Sequence, residues 1–395
     1  MALFKGSSVF VGFSIRFCLL LALIMSSHAA TARNFEVLHG FSDGNDGGSP
    51  LGSLIIDNAG NLYGTAAGGG GVRDAGVVFK LAPNGTETVL HSFDLTDGSN
   101  PEAALITDQV GNFYSTTYQG SGCCGEVFKL APDGTLTVLY SFCSQANCSD
   151  GASSYSGVVS DSSGNLYGTT YSGGGSCSCG VVYKLSTNGS ETVLHAFAGS
   201  PSDGAGPFAS LKLDKKGNLY GTTDVGGANG DGTVFKMRAD GTETLLHSFD
   251  LNDGFYPTAG LISDSTGNLY GTTYFGGAYS EGVVFKLAAD GAETVLYSFT
   301  GTSDGAHPAA SLILDKGNLY GTTSSGGDLN CGNGIGCGTV FQLATNGALT
   351  VLHTFKGVKD GADPVASVTL RGNRLYGMTR SAGADGYGTV FALKK

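Results

Sequence analysis

The sequence predicts an all-β fold, a seven-bladed β-propeller built of four-stranded antiparallel blades. Three short phrases recur seven times at intervals of about 50 residues, a length typical of one propeller blade. Asn-Leu-Tyr-Gly-Thr and its variants place a tyrosine at Tyr63, Tyr114, Tyr167, Tyr220, Tyr270, Tyr320 and Tyr376. Gly-Val-Val-Phe-Lys-Leu places an aromatic residue at Phe79, Phe128, Tyr183, Phe235, Phe285, Phe341 and Phe391. Thr-Val-Leu-His-Ser-Phe ends at Phe41, Phe93, Phe142, Phe197, Phe249, Phe299 and Phe355.

The repeats start out of phase. The third phrase opens the array at Phe41, whereas the chain stops shortly after the second phrase, at Lys395. One strand is therefore missing at the C-terminal end, and a spare copy stands at the N-terminal end. We expect the strand Glu36 to Phe41 to complete the seventh sheet beside Gly388 to Leu393, which closes a ring and leaves no unpaired edge. A solenoid is the alternative, but it needs no borrowed strand.

Each repeat divides into four strands in the same order. The first strand is apolar and follows a small residue, as in Gly260-Leu261, because innermost strands of a propeller have little room. A turn such as that at Gly267 leads into the tyrosine phrase as the second strand. A glycine-rich loop then precedes the third strand. Asn-Gly or Asp-Gly, as in Asp290-Gly291, forms the hairpin into the fourth strand, because these residues accept positive φ.

The N-terminal segment predicts export. Residues 1–32 carry an early positive charge at Lys5 and then an apolar run, 17–24, followed by small residues. This order is typical of a signal peptide, with cleavage after Ala29 or Ala32. The sequence thus predicts a secreted or periplasmic protein.

The remaining residues, 33–395, are predicted to form one propeller domain. No later apolar stretch is long enough for a membrane span. The formal net charge of -12 argues against nucleic acid as a partner, because such a surface repels phosphate.

Eight cysteines follow the signal segment, and an even number in an exported chain favours disulfides: Cys123, Cys124, Cys143, Cys148, Cys177, Cys179, Cys331 and Cys337. Cys143 with Cys148 and Cys331 with Cys337 each close a short loop. The other two pairs sit at matching places in neighbouring repeats. They are expected to bridge between repeats or, as an alternative, to hold zinc through four thiolates.

These phrases resemble the tandem GloVer repeat of exported bacterial proteins, and the resemblance covers essentially all of residues 35 to 395. The strand-one and strand-two phrase, Leu-Ile-x-Asp-x-x-Gly-Asn-Leu-Tyr, is also similar to NHL-type and lyase-type propellers. The resemblance implies a propeller-like fold and an exported setting. It implies no established reaction and carries over no catalytic residue.

Candidate functional residues lie on the loops of one face, here called the top face. It carries the loop before strand one and the glycine-rich loop after strand two, and these loops vary between repeats while the opposite turns are uniform. A residue found in only one blade is a better functional candidate than one found in all. The residues that leave strand two read Ala67, Tyr118, Tyr171, Asp224, Tyr274, Ser324 and Arg380.

We predict a ligand site built of aromatic and charged top-face residues, suited to a sugar or a peptide. Its members are Tyr118, Tyr171, Asp224, Tyr274, Arg380 and the loop residue Arg73. Further blade-specific residues on this face are Asp74, Phe255, Tyr256, His307 and Asp363. The alternative interpretation is that all of these are ordinary exposed loop residues.

Residues that recur in most blades are interpreted as structural. The strand-four histidines His39, His91, His195, His247 and His353 would be held far apart by a ring, which argues against shared metal ligation. The aspartates of the Asp-Gly phrases are predicted to form turns. Calcium is a weaker alternative at three paired sites, because it prefers several oxygen ligands: Asp43 with Asp46, Asp94 with Asp97, and Asp250 with Asp253.

Three functions compete. The first is a non-catalytic exported binding or scaffold module that holds a glycan, a peptide or a cell-surface protein on its top face. The second is an extracellular hydrolase or lyase with a top-face acid–base site, drawn from Asp74, Glu102, Asp224, Asp328, His307 and Asp363. The third is a purely structural surface protein. No nucleophile, metal-protease or phosphate-loop motif is present, so the sequence favours binding without catalysis or cofactor, calcium excepted.

Overall fold

The computed structural model describes residues 34–71, 73–120, 123–238 and 240–395. These residues form seven four-stranded antiparallel sheets arranged as a propeller, so the predicted fold is confirmed. The predicted signal segment, residues 1–32, lies outside the described residues. Within the described part of the chain, no helix has the length and apolar character needed to cross a membrane.

The blades are numbered 1 to 7 in chain order, and each contributes four strands listed from the innermost outward. Blades 1 to 3 consist of Ile55–Ile56, Leu62–Ala66, Val77–Leu81 and Glu87–Ser92; Ile106–Thr107, Phe113–Thr117, Glu126–Leu130 and Leu136–Ser141; and Val159–Ser160, Leu166–Thr170, Val181–Leu185 and Glu191–Ala196. Blades 4 to 6 consist of Lys212–Leu213, Leu219–Thr223, Thr233–Met237 and Glu243–Ser248; Ile262–Ser263, Leu269–Thr273, Val283–Leu287 and Glu293–Ser298; and Ile313–Asp315, Asn318–Thr323, Thr339–Ala344 and Leu349–Thr354. Blade 7 consists of Thr369–Arg371, Arg374–Thr379, Thr389–Lys394 and the N-terminal strand Phe35–Gly40. A two-stranded ribbon, Gly204–Ala205 with Val225–Gly226, and two short 3-10 turns, Ala146–Cys148 and Gly332–Gly334, lie in the connections.

The N-terminal strand closes the ring. Phe35 pairs with Leu393 and Gly40 with Thr389, so the first strand of the chain becomes the outermost strand of blade 7. Glu36 accepts a hydrogen bond of 2.7 Å from Arg374 across this sheet. The out-of-phase start of the repeats is therefore explained by a sheet that draws on both ends of the chain.

The hydrophobic core lies between successive blades. The aromatic residue of strand three and the phenylalanine that follows strand four are buried in every blade; Phe41 packs edge-on against Phe79, with ring centroids 5.2 Å apart. The glycine of the tyrosine phrase makes room for this packing, since a Cβ at Gly64 would lie 2.8 Å from the Phe79 ring. Burial of these side chains is the main stabilising term, at about 1.5–3 kcal/mol for each large apolar residue.

The repeated tyrosine is fixed by the turn at the opposite face. Asp57 accepts hydrogen bonds from the Asn61 amide N–H at 2.8 Å, the Asn61 side chain at 2.7 Å and the Tyr63 hydroxyl at 3.0 Å. The same three bonds recur in blades 2 to 5. This arrangement explains the recurrence of Asp-x-x-Gly-Asn-x-Tyr and gives these tyrosines a structural role.

Threonines of strand two tie adjacent blades together. Thr65 of blade 1 donates a 3.0 Å hydrogen bond to the carbonyl of Ala103 in blade 2. Corresponding bonds are made by Thr116, Thr169, Thr222, Thr272 and Thr322. Blade 7 has Met378 at this position, and Met378 packs into the cluster of Phe41 and Leu54 instead. The junction between blades 7 and 1 is therefore built differently from the other six.

Candidate functional site

One loop geometry is repeated on the top face of every blade. The residue that leaves strand two donates its N–H to the carbonyl of the residue before the loop proline, as Tyr274 does to Tyr256 at 2.8 Å. The pre-proline residue has positive φ even where it is not glycine, for example 55° at His307 and 61° at Asp363. Backbone of this kind is costly for residues with a side chain, and it concentrates at binding sites.

Three positions in each blade lie on these top loops, and all three vary. The pre-proline positions are Ser49, Asn100, Ser153, Gly206, Tyr256, His307 and Asp363. The post-proline positions are Leu51, Glu102, Tyr155, Phe208, Thr258, Ala309 and Val365, with Ser154 replacing the proline in blade 3. The exit positions of strand two are the seven residues from Ala67 to Arg380 identified above.

The post-proline residues of all seven blades converge on one cavity of about 290 Å³, here called the axial cavity. Tyr274, Asp363 and Arg380 complete its lining. Because each blade contributes one residue, the cavity marks the place where the top loops meet around the ring.

Aromatic rings form one side of the axial cavity. The ring of Tyr155 stacks between those of Tyr118 and Phe208, with centroid distances of 4.5 Å and 4.7 Å. Tyr171 meets Tyr155 edge-on at 5.5 Å. Burial raises the pKa of Tyr155, and the Tyr118 hydroxyl and the Glu102 carboxyl add to the rise. The Tyr155 phenol therefore stays protonated and presents its hydroxyl group near Glu102.

Charged residues from blades 2 and 7 form another side. Burial raises the pKa of Glu102 to about 7, although the positive charge of Arg380 opposes the shift. Arg380 pairs with Asp363. Burial raises the pKa of Asp363 as well, again against the effect of Arg380. The cavity thus combines a guanidinium, an ion-paired carboxylate and a carboxyl that changes protonation near neutral pH.

Asp224 directly follows strand two of blade 4 and donates its N–H to the carbonyl of Gly206. Its side chain is 4% exposed, and its Oδ1 has no hydrogen-bond partner among the described residues. Burial raises the pKa of Asp224 to about 7, so the group is neutral over much of the acidic range. Burial raises the pKa of Tyr171, and the charge of Asp224 adds to the rise.

The predicted site residues fall into three groups. Tyr274 and Arg380 line the axial cavity, and Tyr118 and Tyr171 contact its aromatic side. Asp224 is buried beside them. Arg73 is exposed on the outer glycine-rich loop of blade 1, away from this lining, and its charge acts on Asp94.

Sequence reasoning missed most of the post-proline set, because it followed the strand-two exits and treated the loop proline only as a turn signal. Of this set, only Glu102 is among the residues predicted from the sequence, as a candidate acid; Tyr155, Phe208 and Thr258 are not. The signal was present in the sequence, since this position differs in every repeat while the residues around it are alike.

A second cavity of about 610 Å³ adjoins the first and is here called the side groove. The two share Tyr274, Asp363 and Arg380. His307 and Ser325 of blade 6 also line the side groove, and the loop 329–337 forms one of its walls. The top face therefore offers two connected spaces.

The recurring histidines and aspartates are partners of one another. His91 lies 2.7 Å from Asp97 of the loop that follows it, and the same contact joins His39 to Asp46, His195 to Asp203, His247 to Asp253 and His353 to Asp360. Tyr140 and Tyr297 take the place of histidine, bonding Asp150 at 2.8 Å and Asp304 at 3.0 Å. One histidine or tyrosine thus fixes one top loop in each blade.

The aspartates considered for calcium mostly bind their own loops. Asp97 and Asp253 accept backbone N–H bonds from Asp94 and Asp250 at 3.0 Å and 2.8 Å, in addition to their histidine contacts. Asp94 and Asp250 accept N–H bonds from the residues two positions onward. In blade 1, Asp46 accepts bonds from Ser42, whereas burial and the neighbouring charges of Asp74 and Asp46 raise the pKa of Asp43. These bonds give most of the six carboxylates a role in the turn itself.

Four cysteine pairs are formed, each within one top loop. Cys143 pairs with Cys148 and Cys331 with Cys337, as their spacing favours. The expected bridge between repeats is wrong: Cys123 pairs with its neighbour Cys124, and Cys177 pairs with Cys179. Each of these loops closes on itself because its two cysteines stand one or two positions apart. Zinc ligation would require these cysteines in the reduced, thiolate form.

The repeated unit also matches a known protein family. A family model described as the Gloeobacter/Verrucomicrobia repeat matches residues 24–149 and 124–335, most of the chain. The chain belongs to this family. The resemblance that the repeated phrases indicated is thereby confirmed. No curated protein matches the chain.

Solved structures show the fold of this Gloeobacter/Verrucomicrobia repeat protein in other chains. An extracellular domain ascribed to a hybrid two component system of B. thetaiotaomicron is 15% identical, with a TM-score of 0.58 over 91% of this chain and 41% of that one. A puromycin hydrolase is 13% identical, with a TM-score of 0.53 over 90% and 54% of the two chains. A gluconolactonase of Xanthomonas campestris is 15% identical, with a TM-score of 0.43 over 82% and 90%. The chain thus spans about two fifths and about half of the first two structures. At such identities the likeness concerns the fold alone.

Proposed function

We propose that this protein is an exported binding module that holds a carbohydrate in the axial cavity. The observation that carries the proposal is the convergence of one variable residue from every blade on that cavity. Positions that differ between otherwise similar repeats, and that meet at one place on a rigid scaffold, are typical of a ligand site.

The chemistry of the lining favours a sugar. Hydroxyl groups of Tyr274 and Thr258, the Glu102 carboxyl and the Arg380 guanidinium supply donors and acceptors around a partly aromatic cavity. Sugars need this combination, because their hydroxyls form several hydrogen bonds while their C–H faces pack on rings. A volume of about 290 Å³ suits one end of a chain, and the side groove offers room for its continuation.

Export is part of the proposal, and three observations support it. The chain has four cysteine pairs, which persist in oxidising compartments. The pattern of residues 1–32 is typical of a signal peptide. One of the structures that share the fold is an extracellular domain.

The test is binding of the oxidised protein to a glycan array, followed by calorimetry with the best ligand. Replacing Arg380 or Tyr274 by alanine should weaken binding by about 10-fold to 100-fold, because each removes one hydrogen-bonding or packing group from the cavity. The joint replacement of Tyr118, Tyr171 and Tyr274 should abolish it.

The matched control is Tyr279→Ala, which removes an exposed tyrosine from the outer loop of blade 5. This variant should bind as the wild type does. Unchanged affinity in the Arg380 and Tyr274 variants would place the ligand elsewhere, and an array without a ligand would contradict a carbohydrate site.

A further inference from the structure

Three side chains in the side groove lie in a row, joined by one hydrogen bond and one histidine–carboxylate contact. The Ser325 hydroxyl lies 2.7 Å from Nδ1 of His307. Nε2 of the same imidazole lies 3.3 Å from Oε2 of Glu281. Serine, imidazole and carboxylate are thus in the order found in acyl-transfer enzymes, where geometry and roles identify the site and sequence order does not.

Contacts to both its backbone and its ring hold the histidine in place. Its backbone N–H donates to the carbonyl of Glu281 at 2.9 Å, so the residue that supplies the carboxylate also fixes the main chain. Its ring stacks on Tyr274, with centroids 4.7 Å apart and planes 6° from parallel. A carboxylate at Nε2 favours the tautomer protonated there, which leaves the Nδ1 lone pair to accept the Ser325 proton.

This contact belongs to blade 6 alone. No other blade has histidine at the pre-proline position. Ser172 of blade 3 occupies the position of Ser325. Its hydroxyl donates to the carbonyl of Ala152 at 3.2 Å, as the Ser325 hydroxyl does to the carbonyl of Ala306 at 3.4 Å. The serine is therefore compatible with a structural role in blade 3, and the histidine and glutamate are added to it in blade 6.

The surroundings suit a substrate. Ser325 is buried at 7% exposure, but it lines the side groove, as do His307, Glu281 and Arg380. Arg380 offers guanidinium N–H groups for an anionic or carbonyl oxygen in the same space. A volume of about 610 Å³ admits a small acyl group together with part of its alcohol.

We propose that Ser325, His307 and Glu281 form a hydrolytic site for carboxylic esters. The Ser325 oxygen attacks the ester carbonyl carbon as its proton passes to Nδ1 of His307. The carbon–oxygen bond to the alcohol then breaks, and the alcohol leaves with that proton. Water adds to the acyl-serine, giving its proton to His307, and the carboxylic acid departs as Ser325 regains a proton. Glu281 stabilises the imidazolium throughout.

The experiment uses the oxidised full-length mature protein and two probes, a fluorophosphonate and p-nitrophenyl acetate. We expect covalent labelling by the fluorophosphonate, with the mass-spectrometric site of attachment at Ser325, and ester hydrolysis above the buffer rate. Ser325→Ala should lose both signals. His307→Gln should lower the rate of hydrolysis by about 10²-fold to 10⁴-fold.

Ser172→Ala is the matched control, because it removes the corresponding hydroxyl from blade 3, and it should keep both signals. Circular dichroism establishes that each variant is folded. Mapping the label on the wild type needs no variant, so the test holds even if Ser325→Ala misfolds. Absence of labelling on the wild type, or labelling at another residue, overturns the proposal. Equal hydrolysis by wild type and Ser325→Ala also overturns it.

Discussion

Asp224 illustrates how one residue changes the chemistry of a repeated loop. The other six blades place alanine, serine, tyrosine or arginine at this exit position, whereas blade 4 places a carboxyl that is almost fully buried. Its Oδ1 has no partner among the described residues, so ionisation would leave an unpaired charge in the protein. The raised pKa, about 7, is the result of that burial.

We predict that Asp224→Asn stabilises the protein at high pH. The folded pKa is raised above the ordinary value of 3.8, so the neutral acid's contribution to stability is complete below pH 3.8 and lost as the pH rises through about 7. Asparagine stays neutral. Its free energy of unfolding should exceed that of the wild type by roughly 2–4 kcal/mol at pH 8 and match it at pH 4. Urea denaturation at both pH values measures this.

An equal difference at pH 4 and pH 8 would contradict this account, because packing changes do not depend on protonation. Asp240→Asn is the control: Asp240 is an exposed turn residue, and hydrogen bonds from Thr242 lower its pKa. It should show no gain at pH 8.

Residue roles were predicted from the sequence where they depend on neighbours in the chain. The turn role of the Asp-Gly aspartates and the structural role of the histidines agree with the loops as observed. Their direct contact, such as His91 with Asp97, was not predicted, because it depends on how far the loop folds back over strand four. The cavity lining was missed for a related reason. The tilt of each loop determines which of its residues faces the axis of the ring. The spacing of residues in the sequence does not indicate this tilt.

The fourth strands of several blades begin with a partly buried glutamate. Strand four begins with glutamate in four blades, and each of these has a buried Oε1 without a hydrogen-bond partner in the described chain: Glu87, Glu191, Glu243 and Glu293. Burial and the nearby loop aspartates raise the pKa of Glu87, Glu191 and Glu293 to about 7. In blade 7 the fourth strand begins with Phe35 instead. The Phe35 ring stacks on that of His353, with ring centroids 3.7 Å apart.

We predict that replacing Glu87, Glu191 and Glu293 together by glutamine raises the melting temperature at pH 8. Each folded pKa is raised, so the protonated acids stabilise fully below pH 4.5 and lose this effect as the pH rises through about 7. Glutamine resembles the neutral acid at all pH values. Calorimetry should show a gain at pH 8 that disappears at pH 4. A gain of the same size at both pH values would show that charge is not the cause.

For the whole molecule, ring closure makes the two ends of the chain one sheet. The phase shift of the repeats was sufficient to predict this, because a missing strand and a spare strand of the same type define each other. The details of the seam were not predictable. Arg371 donates a 2.6 Å hydrogen bond to the carbonyl of Asn58 in blade 1, and Met378 packs where the other junctions have threonine.

We predict that deleting Phe35–Gly40 lowers the melting temperature and causes self-association. The deletion leaves Thr389–Lys394 as an open edge with unpaired N–H and carbonyl groups, and such edges recruit other strands. Differential scanning calorimetry and sedimentation velocity measure the two effects.

A synthetic peptide of residues 34–41 serves as the control for this deletion. Added to the shortened protein, it should restore the monomer and much of the melting temperature by strand addition. A scrambled peptide should not. A shortened protein that melts like the full chain would show that closure contributes little to stability.

The junction between blades 7 and 1, the seam of the ring, also determines how the number of repeats can change by duplication. Because similar units lie in tandem, unequal crossing-over can add or remove an internal unit. Such an event leaves Phe35, Met378 and Arg371 in place, since the first and last units supply them. The copies between are free to diverge at their top positions. A lineage of such rings can therefore change its top face one unit at a time while the seam stays the same.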